Sequence, residues 1–116
     1  MTKVLLVDDE RCLLEVLCTL LVDEGFEVTA AVNGRDALDR LEGFSPDVVV
    51  SDVMMPIMDG EQLLHQLRER PSTRGVPVIL MTAARLTVAN GVTVLRKPFH
   101  AEVLVEEIRR AVERPH

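Results

Sequence analysis

Five polar side chains in this sequence could act together on one charged group: Asp8, Asp9, Asp52, Thr82 and Lys97. Asp8, Asp52, Thr82 and Lys97 each stand at or near the end of a short apolar run, with Asp9 next to Asp8. Carboxylates gathered within a few ångströms repel and raise one another's pKa. A divalent cation removes that repulsion, and Mg²⁺ takes oxygen ligands, commonly one or two carboxylates together with waters and phosphate oxygens. A carboxylate is also a nucleophile that can form an aspartyl phosphate. Phosphoryl transfer requires charge neutralisation at the equatorial oxygens, which a Lys ammonium, a Thr hydroxyl and a metal would supply. Singly, each residue has an ordinary explanation. An Asp after a strand makes a turn or caps a helix, and Asp9 alone would cap the first one. Their joint occurrence at successive strand ends points to phosphoryl chemistry.

For the five to meet, the elements carrying them must place those ends side by side. Val4–Val7, Val48–Val50 and Val78–Met81 are continuous apolar runs of the kind that form strands buried on both faces. Glu27–Ala31 and Val92–Leu95 are weaker strand candidates. Leu13, Leu14, Val16, Leu17, Leu20 and Leu21 form a helical stripe, with Gly25 as its stop. Asn33-Gly34 could turn a hairpin, but the spacing after it is helical, so Asn33 is expected as an N-cap. Gly43 and Pro46 bracket the loop into the third strand, and Asp59-Gly60 opens a helix that Pro71, Gly75 and Pro77 end. A last helix runs from about His100 to Glu113. Alternating strands and helices imply right-handed crossovers and a parallel sheet covered on both faces. The expected fold is α/β: a doubly wound, flavodoxin-like five-stranded parallel sheet in the order 2-1-3-4-5, whose ligands bind beyond the C-terminal strand ends.

Composition narrows the alternatives. The chain has 116 residues, 47% of them hydrophobic and 28% charged, which fits one globular domain spanning 1–116. A net charge of −6 and the absence of Trp and Tyr argue against direct nucleic-acid binding. No apolar run is long enough to cross a bilayer, and the start turns acidic too soon for a signal peptide, so a cytoplasmic location without membrane attachment is expected. Cys12 and Cys18 lie six apart on one helix, cannot pair, and are expected to be buried, inert thiols. No Cys/His set has zinc spacing, and no Gly-rich phosphate loop is present. His65 reads as a solvated helix residue and His100 as a helix-start residue; neither reads as a phosphocarrier.

The stretches Val4-Leu5-Leu6-Val7-Asp8-Asp9-Glu10, Ser51-Asp52-Val53-Met54-Met55-Pro56-Ile57-Met58-Asp59-Gly60, Met81-Thr82-Ala83-Ala84 and Lys97-Pro98-Phe99 carry a family resemblance. Over nearly its whole length the chain resembles the receiver domains of two-component response regulators, including the chemotaxis regulator. The resemblance implies that Asp52 is the phosphoacceptor and that Asp8 and Asp9 are an acid pair for Mg²⁺, with Asp9 the more direct ligand. It also makes the Met54 backbone carbonyl a further metal ligand, Thr82 the hydroxyl that shifts on activation, and Lys97 the partner of a phosphoryl oxygen. Lys97–Pro98 is expected to be cis. The implied function is phosphorelay signalling. A sensor histidine kinase or phosphotransfer protein donates the phosphoryl group, and a downstream protein or output domain responds. Such a domain promotes its own phosphorylation and dephosphorylation and is not a turnover enzyme.

The sequence departs from the family pattern in three places. Residues 83–91 are all that is left for the crossover between the last two strands, so the family's fourth helix is expected to be shortened or missing. Val94 stands three before the Lys, where receivers usually carry an aromatic. Output is therefore expected to move to another face, such as the first helix with the loop after Asp52. Met54 and Ala84, where the family positions an attacking water, cannot hydrogen-bond through their side chains, so slow hydrolysis of the aspartyl phosphate is expected. Two alternatives stand beside this reading. One is a receiver-fold interaction module with an atypical output face and no phospho-switch. The other is a Mg²⁺-dependent phosphohydrolase with an Asp nucleophile, which would want a carboxylate where Met54 stands.

Overall fold

The computed structural model describes residues 1–84 and 92–113. In chain order the elements are β1 (Lys3–Val7), α1 (Arg11–Asp23), β2 (Glu27–Ala31), α2 (Gly34–Arg40), β3 (Val48–Asp52), α3 (Gly60–Glu69), β4 (Val78–Thr82), β5 (Thr93–Arg96) and α4 (Ala101–Glu113). The strands form one parallel sheet in the order β2-β1-β3-β4-β5, as the alternation of runs and helices predicts. The crossover between β4 and β5, where a shortened or missing helix is expected, falls mostly on 85–91, outside the described residues.

Side chains alternate across each strand, which divides the core in two. Val4, Leu6, Val48, Val50, Ile79 and Met81 pack beneath α1 and α4 with Leu14, Leu17, Leu21, Leu104 and Ile108. Leu5, Val7, Val49, Val78 and Leu80 pack beneath α2 and α3 with Ala37, Leu38, Leu63 and Leu67. Every residue of β3 and β4 is buried, which is why those stretches read as unbroken apolar runs. β2 and β5 are the sheet edges and only partly buried, which is why their sequences carry a weaker strand pattern.

The caps follow local chemistry. α1 ends in a Schellman arrangement around Gly25, at φ 94°: Gly25 N–H donates to Val22 O at 3.0 Å and Phe26 N–H to Leu21 O at 3.1 Å. The Asn33 side chain accepts Asp36 N–H at 2.8 Å, so it caps α2 and turns no hairpin. Asp59 and Gln62 form a reciprocal capping box on α3.

Some expectations fail. Cys12 is exposed, because it lies about half a turn round α1 from the buried Leu14, Leu17 and Leu21. Cys18 is half-buried, and its thiol is pushed up by burial and then by Glu15. The ordinary alternative for Asp9, a cap on α1, is not realised: Glu10 holds that position, without a side-chain cap bond. His65 is exposed, as expected, 3.2 Å from Glu69. No helix among the described residues is long and apolar enough to cross a membrane.

Candidate functional site

Strand register builds the site. Val7 pairs with Ser51, so Asp8 and Asp52 leave the sheet at the same level. Asp52 pairs with Met81 and Thr82 with Arg96, so Thr82 and Lys97 each stand one residue further out than the last. The β-ladder continues just beyond the strands: Asp8 N–H donates to Ala31 O at 3.1 Å, Val53 N–H to Met81 O at 3.0 Å and Lys97 N–H to Thr82 O at 2.7 Å. The predicted residues thus stand along one sheet edge on backbone that is hydrogen-bonded on either side.

Asp8 is fully buried, Asp52 nearly so, and Asp9 exposed. A carboxylate oxygen from each lies within 4.8 Å of the others. The Lys97 ammonium bridges the two buried carboxylates, with Nζ 3.3 Å from Asp8 Oδ2 and 3.3 Å from Asp52 Oδ1. The other Asp8 oxygen accepts Glu10 N–H at 2.9 Å, which turns the chain into α1 and leaves Asp9 facing outward. The buried Thr82 hydroxyl accepts Ala84 N–H at 3.1 Å. Met54 lies in the loop between β3 and α3 and is 74% exposed. Lys97–Pro98 is cis.

Three acidic groups against one ammonium leave the cluster negative. Burial, and then Asp8, raises the Asp52 carboxyl above its ordinary pKa, with Lys97 opposing and Asp9 adding to the rise. Burial works against the Lys97 ammonium, but Asp8 and Asp52 outweigh it and raise its pKa. Clustered carboxylate oxygens, one of them on the solvent side, are a donor set suited to a hard divalent cation such as Mg²⁺.

Two glycines hold the surrounding loop, and sequence reading assigned neither that task. A Cβ on Gly60 would sit 2.4 Å from the Asp52 carbonyl oxygen, so α3 starts directly against the backbone of Asp52. Gly60 N–H donates to Val53 O at 2.9 Å. A Cβ on Gly34 would sit 2.6 Å from Met58 Cγ, and Gly34 N–H donates to Met58 O at 3.0 Å. The local signal at both positions is a glycine directly after an N-cap, which alone does not reveal close approach. Beside the site, between α1 and the turn after β5, lies an apolar groove of about 500 Å³. Leu13, Leu17, Leu20, Phe99 and Lys97 are among the residues that line it.

A family model described as the response regulator receiver domain matches residues 4–109. The transcriptional regulatory protein CpxR of Escherichia coli is 42% identical over 123 residues, covering 100% of this chain and 51% of that protein. The probable transcriptional regulatory protein TcrX of Mycobacterium tuberculosis is 42% identical over 120 residues, covering 96% of this chain and 50% of that protein. The chain spans about half the length of the curated relatives it matches. Among solved structures, chemotaxis protein CheY4 of Vibrio cholerae superposes with a TM-score of 0.89 at 30% identity, covering 96% of this chain and 98% of that one. The receiver domain of sensor histidine kinase PA1611 of Pseudomonas aeruginosa, described with a magnesium ion coordinated in its active-site cleft, gives 0.88 at 27% identity, covering 97% and 98%.

Proposed function

Because the chain belongs to the receiver-domain family of two-component response regulators, we propose that residues 1–116 form one receiver that takes a phosphoryl group onto Asp52. The donor is the phosphohistidine of a sensor kinase or phosphotransfer protein. An Asp52 carboxylate oxygen attacks phosphorus and the O–P bond forms. The N–P bond breaks, and its electron pair stays on the donor imidazole. The observation that carries this reading is the Lys97 ammonium at 3.3 Å from both Asp8 and Asp52, inside the carboxylate cluster. That ammonium can pair with a phosphoryl oxygen as the oxygen arrives.

Asp8, Asp9, Asp52 and the Met54 carbonyl would hold Mg²⁺, which when bound neutralises the carboxylates and the phosphoryl oxygens. The Thr82 hydroxyl can leave the Ala84 N–H to meet the phosphoryl group, so a shift at 83–84 is the first conformational consequence. Val94 is partly buried against the α2/α3 core and offers no ring to follow Thr82, which supports an output through another face. Met54 and Ala84 both lie exposed without hydrogen-bonding side chains beyond the backbone, consistent with slow hydrolysis. The acidic balance speaks against direct contact with nucleic acid. The reaction belongs in the cytoplasm with the kinase, and the domain controls a partner or an output domain without turning over an external substrate.

Incubation with acetyl phosphate and Mg²⁺, followed by a phosphate-affinity gel, tests the reading. A retarded band is expected, lost in Asp52→Asn and on chelation. No retarded band, with Asp52→Asn indistinguishable from wild type, would overturn it in favour of an interaction module without a phospho-switch.

A further inference from the structure

Ser51 interrupts the apolar face of β3 beneath α2 and α3. Val49 and Val53 belong to that apolar layer, and Ser51 stands between them, paired in register with Val7 and Leu80. It is fully buried. An alanine or a valine would bury there without a polar penalty, whereas a hydroxyl costs free energy unless it is hydrogen-bonded. Its bond runs to the next residue: Ser51 Oγ donates to the Asp52 carbonyl oxygen at 2.9 Å.

That carbonyl lies where the ladder runs out. Val53 N–H donates to Met81 O, so the Asp52 carbonyl, trans across the same peptide, points away from β4 and towards β1. The next donor in the β1 ladder would be Asp9 N–H, but β1 ends at Val7. Asp8 N–H is taken by Ala31 O of β2, and the chain then turns into α1 with Glu10 N–H on the Asp8 carboxylate. Among the described residues the Ser51 hydroxyl is the donor that meets the Asp52 carbonyl. Gly60 closes on the same oxygen from α3, where an added Cβ would lie 2.4 Å away. Ser51 thus replaces a ladder bond at the peptide that follows the Asp52 side chain.

Building on the phosphoacceptor reading, we propose that Ser51 is a positioning residue for phosphoryl transfer. Its hydroxyl anchors the Asp52–Val53 peptide and thereby fixes the direction of the Asp52 carboxylate. Attack on phosphorus is in line and tolerates little error in that direction. Lys97 holds the carboxylate at its outer end, with Nζ 3.3 Å from Asp52 Oδ1, but it shares that ammonium with Asp8. The ammonium stands on a long, flexible stem and by itself would let the carboxylate move with it. The Ser51 bond holds the other end, at the backbone. Successive side chains of a strand point to opposite faces, so Ser51 lies across the sheet from the carboxylate. It competes with neither a cation nor a phosphoryl oxygen for the Asp52 side chain.

Phosphorylation by acetyl phosphate and Mg²⁺ is timed on a phosphate-affinity gel for wild type, Ser51→Ala, Ser51→Thr and Ser51→Val, well below their thermal midpoints. Ser51→Ala should lower the maximal rate by about ten-fold, while the Mg²⁺ concentration giving half that rate stays within about two-fold of wild type. Ser51→Thr keeps the hydroxyl and should recover most of the rate. Ser51→Val has the same shape without the hydroxyl and should be as slow as Ser51→Ala. The Asp52 carbonyl ¹³C resonance should move upfield in Ser51→Ala and Ser51→Val and return in Ser51→Thr, which a role in packing alone would not produce. If the branched pair does not fold, Ser51→Cys, a weak donor of nearly the same size, replaces it and should fall between Ser51→Ala and wild type. A Ser51→Ala rate within about two-fold of wild type overturns the proposal. So do equal rates for Ser51→Thr and Ser51→Val, or for Ser51→Cys and Ser51→Ala, because the hydrogen bond is then not what matters. A half-saturating Mg²⁺ concentration that rises as much as the rate falls also overturns it, by assigning Ser51 to the metal site. A wild-type chain that takes no phosphoryl group refutes the phosphoacceptor reading itself, and this inference with it.

Discussion

At Asp52, burial and the neighbouring Asp8 lift the carboxyl above its ordinary pKa of 3.8, and Lys97 only partly opposes them. The sign of the linkage follows. A group whose folded pKa is raised contributes stability that is present below the unfolded value and lost as pH rises through the folded one. Ionised Asp52 therefore weakens the metal-free fold at neutral pH. Asp52→Asn should be more stable than wild type by roughly 0.5–2 kcal/mol at pH 7 in the presence of a chelator. That gain should shrink towards zero as the pH is lowered to about 4. Thermal unfolding of both proteins across that range checks it, and a gain that grows on acidification would contradict the assignment. Lys97 behaves differently, because its folded pKa is raised above 10.5 by Asp8 and Asp52 against the effect of burial. Its contribution is complete below 10.5 and lost only as pH rises through the higher folded value, so it stays charged through the range of the Asp52 experiment. The types of these residues and their places at strand ends were legible in the sequence. Their titration was not, since it depends on how deeply each is buried and on which neighbour faces it.

The elements differ in how openly their sequences announce them. Asn33 was readable as a cap and Asp59-Gly60 as a helix start because a cap is a contact within three residues. The central strands were readable because burial on both faces makes Val48–Val50 and Val78–Met81 continuous apolar runs. Edge strands β2 and β5 were fainter for the opposite reason. The exposure of Cys12 was missed because a wide apolar stripe on α1 conceals which part of it faces the sheet: Val16 and Leu20 of that stripe remain 56% and 38% exposed. Least visible was the contact of α3 with β3. Gly60→Ala would drive a methyl against the Asp52 carbonyl oxygen and the Val53 α-carbon, both backbone atoms that cannot step aside. A loss of about 1–3 kcal/mol is expected, read as a lower urea midpoint at unchanged slope. Slower phosphorylation by acetyl phosphate should accompany it, because relief of the clash moves Asp52. A variant with wild-type stability and rate would show that α3 has more freedom than its packing implies.

For the molecule as a whole, Mg²⁺ held by the acidic cluster, as proposed, would make stability depend on the cation. If Mg²⁺ binds the folded chain only, a concentration ten times its Kd should add about 1.4 kcal/mol, a rise of several degrees in thermal midpoint. Asp9→Asn should abolish most of that rise while changing the metal-free midpoint little, since Asp9 is exposed. An equal rise in both proteins would place the cation elsewhere. The sequence by itself determined the order of strands and helices, the edge of the sheet at which the polar residues gather, and the residue types that stand there. Periodicity, caps and strand-end positions are local features, written within a few residues of where they act. Only the tertiary structure decided that one ammonium spans Asp8 and Asp52 from a position 89 residues away from Asp8. It also decided that Gly60 abuts the backbone of Asp52 at the end of β3 and that Ile57 is held at a positive φ. Those facts follow from the register between distant strands and from the packing of a loop tied at both ends, and no short stretch of sequence encodes either.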